Sequence, residues 1–141
     1  MKIKIFSLLI ICTLLLYACT PGPKTLGPGI NYFKGSFDDA LQEASKQSKP
    51  VFIYGYTGWC GYCTKMNKST FKEKEVNDYM NTNYINLSYD MEKGEGVYIA
   101  SKYGLRSYPA YVILSKDGEL REIRFGYMRA DKFMSWVNTK P

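Results

Sequence analysis

Histidine is absent from this 141-residue chain, and cysteine is scarce, with four residues at Cys12, Cys19, Cys60 and Cys63. Without histidine there is no Cys–His nucleophile pair for hydrolysis. A zinc site needs four ligands, usually Cys or His, and the chain cannot assemble them easily. The residue after Cys63 is Thr64, so the pair is not a c-type haem attachment site. No cofactor and no resident metal are therefore expected. Blocks of like charge are also missing: 19 basic and 13 acidic residues are interleaved to a formal +6, which reads as a solvated surface and excludes nucleic acid as a partner. There is no internal repeat.

Only one long apolar run exists, Ile5 to Tyr17, broken by Ser7, Cys12 and Thr13. It is shorter than the ~20 residues that cross a bilayer. With Lys2 and Lys4 before it, it reads as a secretory leader over residues 1–18. The run ends in Leu16-Tyr17-Ala18-Cys19, which resembles a bacterial lipobox. That resemblance implies cleavage before Cys19 and acylation there, giving a lipid anchor in a bacterial cell-envelope membrane with the domain facing the periplasm. Thr20 to Gly29 holds Pro21, Gly22, Pro23, Gly27, Pro28 and Gly29, so residues 19–31 read as a flexible tether. Residues 32–141 remain as one domain, large enough for its own core and expected to be a monomer.

Within that domain, Ser36-Phe37-Asp38-Asp39 starts a helix with a capping-box pattern, and Phe37, Ala40, Leu41 and Ala44 recur at helical spacing to about Gln47. Pro50 precedes an apolar run, Val51 to Tyr56, that predicts a strand buried on both faces. A helix from about Cys60 to Asn67 and another over Glu73–Met80, with Val76, Tyr79 and Met80 inward, lead to a strand over Tyr84–Tyr89. Glu95–Tyr103 predicts a helix closed by Gly104. Ala110–Leu114, an Asp-Gly turn over Lys116–Glu119, and Leu120–Phe125 predict a hairpin. Ala130–Asn138 closes the chain as a helix with Phe133, Met134 and Val137 as its stripe. This order gives an α/β domain, a mixed central sheet with helices on both faces.

Cys60 and Cys63 are three residues apart at a helix start, on one face and close enough to bridge. Cys60 meets the unpaired N–H groups and the positive end of the helix dipole, which favour thiolate. Reversible dithiol/disulfide chemistry and a permanent structural bridge both satisfy this spacing, but so small a loop removes little unfolded-chain entropy. Cys60 is expected to attack a substrate disulfide, and Cys63, one turn further in, to release the product.

Trp59-Cys60-Gly61-Tyr62-Cys63 after a buried strand, followed by Tyr108-Pro109 before Ala110-Tyr111-Val112-Ile113-Leu114, resembles the thioredoxin superfamily. With Lys49-Pro50-Val51, Met66 and Phe71, it is most similar to secreted bacterial thiol:disulfide interchange proteins. The resemblance implies a thioredoxin-like fold, Cys60 and Cys63 as catalytic residues, and a cis peptide bond at Pro109. It also implies that Trp59, Gly61, Tyr62, Tyr108 and Pro109 shape the site, and that protein thiols and disulfides are the partners. One departure stands out: the buried Asp that thioredoxins carry six residues before the first Cys is replaced by Tyr54. The expected function is an extracytoplasmic, membrane-tethered thiol–disulfide oxidoreductase, a reductase or isomerase rather than a primary oxidase. The alternatives are a non-catalytic binding module on the same fold and a dithiol metal-delivery or assembly factor.

Overall fold

The computed structural model describes residue 27 and residues 29–139. The leader and Cys19 lie outside the described residues. The elements, in order, are α1 (Phe37–Gln47), β1 (Val51–Tyr56), α2 (Gly61–Lys68), a 3-10 turn (Thr70–Lys72) and α3 (Lys74–Asn83). Then follow β2 (Ile85–Asp90), α4 (Glu95–Tyr103), β3 (Ala110–Leu114), β4 (Leu120–Phe125) and α5 (Ala130–Val137). The sheet order is β2-β1-β3-β4. β1 runs parallel to β2, with Val51 beside Ile85 and Tyr56 beside Asp90, and antiparallel to β3, which pairs antiparallel with β4. This is the expected thioredoxin-like α/β architecture. Among the described residues, no helix is long and apolar enough to cross a membrane.

The pleat divides the core in two. Phe52, Tyr54, Tyr111 and Ile113 face Cys63 and Met66 of α2, Val76 and Met80 of α3, and Phe133, Trp136 and Val137 of α5. Val51, Ile53, Val112 and Leu114 face Phe37, Ala40 and Ala44 of α1 and Ile99 of α4. The first half is unusually aromatic. Phe133 meets Phe71 at 5.4 Å, and Phe52 and Trp136 at 5.8 Å each, all edge-on. Such pairs add attraction between ring edges and faces to the gain from burial.

Local chemistry sets the element ends. The Ser36 side chain accepts from Asp39 N–H while the Asp39 carboxylate accepts from Ser36 N–H, the reciprocal cap that the sequence predicts. Gly104 takes the left-handed conformation after α4, and Leu105 N–H donates to Ala100 C=O at 2.8 Å. The β3–β4 connection is longer than a two-residue Asp-Gly turn. Ser115 N–H donates to Glu119 C=O at 2.8 Å, which leaves 116–118 as the loop with Gly118 at φ 83°.

One expectation needs correction. The tether does not extend to residue 31. Gly27 N–H donates to Lys72 C=O at 2.6 Å, Gly29 N–H to the Asn77 side chain, and Asn31 N–H to Asn81 Oδ1 at 2.8 Å, while Ile30 enters the core. Backbone donors need no periodic structure to find partners, so a Pro/Gly-rich composition hides this docking. On α3, Val76 and Met80 are buried and Tyr79 packs partly buried against the same cluster, as expected; Asn77 is buried too, and its amide donates to Phe71 C=O at 2.7 Å and Glu73 C=O at 2.9 Å. On α5, Phe133 and Val137 are buried and Met134 packs partly buried against the same cluster, as expected; Trp136, which shares that face, joins the stripe as well.

Candidate active site

The site forms where β1 ends. Thr57 C=O accepts from Cys60 N–H at 3.2 Å, turning the chain into α2. Cys60 is the N-cap of that helix, in extended backbone geometry, and its Sγ accepts from Cys63 N–H at 3.1 Å. A sulfur thus occupies the place of the usual capping oxygen. Cys60 and Cys63 are joined as a disulfide with Cα atoms 5.2 Å apart. Cys60 is 6% exposed and Cys63 2%. The order of burial is the one expected from position, although Cys60 is more enclosed than its role at the surface suggests. The Tyr108–Pro109 bond is cis.

The other expected residues surround this pair. Trp59 is exposed, its indole N–H donates to Glu92 Oε1 at 3.0 Å, and its ring meets Tyr108 edge-on at 6.3 Å. Tyr62 is exposed and stacks on Tyr127 at 6.3 Å. Gly61 has open space where a Cβ would stand, so neither crowding nor backbone conformation within the chain demands glycine there. The Tyr108 hydroxyl donates to Leu105 C=O at 3.3 Å, and burial, with the Glu92 carboxylate adding to it, pushes its phenol above the ordinary value. Among the described residues, no backbone hydrogen bond uses the N–H or C=O of Tyr108.

Tyr54 lies behind the disulfide. Its hydroxyl donates to Cys63 C=O at 3.1 Å, and its ring stacks on Tyr56 at 5.8 Å and Tyr111 at 6.0 Å. Burial, then the neighbouring Tyr56, pushes this phenol well above its ordinary value. A neutral phenol bonded to a carbonyl is a brace for α2, not a proton acceptor for Cys63. Among the described residues no cluster of His, Cys, Asp or Glu could hold a metal ion.

Two participants have no signal in the sequence. Glu92 reaches Trp59 from the turn after β2. Tyr127, after β4, carries the Lys65 ammonium 4.4 Å from its ring centroid. Its hydroxyl is held below the ordinary phenol value, first by hydrogen bonding with Ser69, then with Thr70, and last by the Lys65 and Arg129 cations. Neither residue stands in a motif, and 33 positions separate Trp59 from Glu92.

A family model described as a thioredoxin-like domain matches residues 37–140. A solved candidate disulphide-isomerase from Bacteroides thetaiotaomicron is 35% identical, covers 84% of this chain and 96% of its own, and superposes with a TM-score of 0.71. The thiol:disulfide interchange protein DsbD of Neisseria meningitidis serogroup B is 29% identical over 104 residues. That match takes in 73% of this chain but only 17% of the much longer DsbD. The reduced C-terminal domain of N. meningitidis DsbD is 28% identical, with a TM-score of 0.60 over 74% of this chain and 93% of that domain. The chain belongs to the thioredoxin-like domain family, and its Cys60–Cys63 pair is that of a thiol–disulfide oxidoreductase.

Proposed function

We propose that the chain acts outside the cytoplasm, tethered to a membrane through Cys19, and that it reduces or isomerises disulfides of other proteins. The observation that carries the chemistry is Cys60 as the sulfur cap of α2, bridged to Cys63 and receiving its N–H at 3.1 Å. In the reduced protein the same N–H and the α2 dipole favour the Cys60 thiolate. That thiolate attacks one sulfur of a substrate disulfide. A Cys60–substrate bond forms, the substrate S–S bond breaks, and the departing thiolate takes a proton from water. Cys63, losing its own proton to water, then attacks Cys60 Sγ; the Cys60–Cys63 bond forms and the second substrate thiol leaves. Two electrons pass from the pair to the substrate, and an external thiol reductant must restore the dithiol. An isomerisation ends instead with a substrate thiol attacking the mixed disulfide. The unused backbone groups of Tyr108 offer an extended substrate a place to pair.

The extracytoplasmic part of this reading draws support from the leader and lipobox-like residues 1–19 and from the likeness to DsbD, named a thiol:disulfide interchange protein. The test is a pair of variants in an insulin-reduction assay. Cys60→Ser abolishes turnover, and Cys63→Ser accumulates mixed disulfides that thiol reagents release. Full turnover in both variants refutes the reading. For the anchor, mass spectrometry of the membrane-extracted protein finds Cys19 as the N-terminal residue with its thiol and amino group acylated; an unmodified Cys19 refutes lipidation there.

A further inference from the structure

Two exposed aromatic side chains flank Cys60, and contacts inside the chain hold both. Trp59, 71% exposed, is fixed by Glu92 and by the edge of Tyr108. Tyr62, 63% exposed, lies on Tyr127 at an interplanar angle of 29°, and Tyr127 is held in turn by Lys65 and Ser69. Aromatic platforms fixed in advance lose little conformational freedom when a partner covers them.

The two sides differ in charge. Residues 61–68, the whole of α2, contain Lys65 and Lys68 and no acid. Among the described residues neither lysine forms an ion pair, and Lys65 has only the Tyr127 ring as a partner. Its ammonium therefore keeps donors available to an incoming acceptor. On the Trp59 side Asp90 is already paired with Lys93 at 3.1 Å, and Glu92, which takes part in no ion pair among the described residues, is the carboxylate left to repel an incoming acid.

Resting on the oxidoreductase reading, we propose that this rim selects polypeptides whose reactive cysteine lies in an extended segment. That segment carries an apolar neighbour for the aromatic platforms and an acidic residue on the side that meets α2. The acid pairs with Lys65, and apolar side chains cover Trp59 and Tyr62. An acid on the opposite side meets Glu92 and gains nothing.

The test uses the reduced full-length protein and two peptides, each disulfide-linked to 2-mercaptoethanol. Both carry Phe beside Cys; one has Asp two positions away and the other Lys. Bis(2-hydroxyethyl) disulfide, neutral and small, reports the chemistry alone. The Asp peptide reacts about fivefold faster than the Lys peptide at low ionic strength, the size of one partly screened charge pair. The ratio shrinks in 0.5 M salt, is lost or inverted in Lys65→Glu, and is kept in Lys65→Arg. Exchange with the neutral disulfide but equal peptide rates, or an Asp preference that survives Lys65→Glu, overturns the rim proposal alone. No exchange with the neutral disulfide overturns the oxidoreductase reading and this proposal with it.

Discussion

Replacing Tyr54 with Phe separates a structural brace from a proton carrier. The substitution removes one buried hydroxyl and the 3.1 Å bond to Cys63 C=O, and it keeps the ring that packs on Tyr56, Phe71 and Tyr111. The Cys63 carbonyl stays within the hydrogen-bonded ladder of α2, so no buried acceptor is orphaned. The loss is then that of one neutral hydrogen bond, about 1 kcal/mol. For a domain of this size it lowers the melting temperature by about 4 °C, measured by circular dichroism. The chemical step should hardly respond. Burial holds the Tyr54 phenol neutral far above the working pH, and its hydroxyl addresses a carbonyl instead of a sulfur. Starting from a preformed Cys60 mixed disulfide, the rate of Cys63 attack changes less than about threefold, and its rise with pH keeps the same shape. A proton carrier contributes about tenfold or more, equivalent to ~1.4 kcal/mol of barrier. A slowing of that size with an altered pH profile refutes the reasoning and makes Tyr54 the substitute for the missing Asp.

Two further outcomes follow from the aromatic core. Phe133→Ala, at a fully buried position with four edge-on ring contacts, destabilises the domain by about 3–5 kcal/mol in urea unfolding. A loss under 1 kcal/mol shows that α5 contributes little to that half of the core. The second concerns alkali. An unfolded chain ionises its phenols near pH ~10, whereas burial holds Tyr54, Tyr84 and Tyr111 neutral well above that in the fold. Their contribution is complete below pH ~10 and falls as pH rises, by up to ~1.4 kcal/mol per unit for each tyrosine. Phenolate absorbance at 295 nm should gain its last increments together with the loss of circular dichroism. Titration of every tyrosine in a still-folded protein contradicts this.

What the sequence made legible was local. The Val51–Tyr56 run, the Ser36–Asp39 cap, the Gly104 stop and the Cys60/Cys63 spacing each announce themselves within a few residues, and each stands in the structure as expected. The site's outer parts come from afar. Glu92 and Tyr127 reach the motif only because β2 and β4 end near it, and no periodicity marks either one. Asn77 was hidden for a different reason. A polar residue on a helix reads as solvent-facing until its amide is seen capping Phe71 and Glu73 and receiving Gly29. The replacement at Tyr54 was visible, but its partner was not: whether a phenol meets a sulfur or a carbonyl is decided by where α2 lies over β1.

The docked segment ahead of α1 has a bearing on reach. Were Cys19 to carry lipid, the stretch from there to Gly27 could span no more than about 30 Å even when drawn straight. The leash is then shorter than the Pro/Gly-rich stretch alone suggests, and the domain patrols a thin shell above the bilayer. Clients would have to come to that shell: nascent chains leaving a translocation pore, or proteins themselves fastened to the same surface.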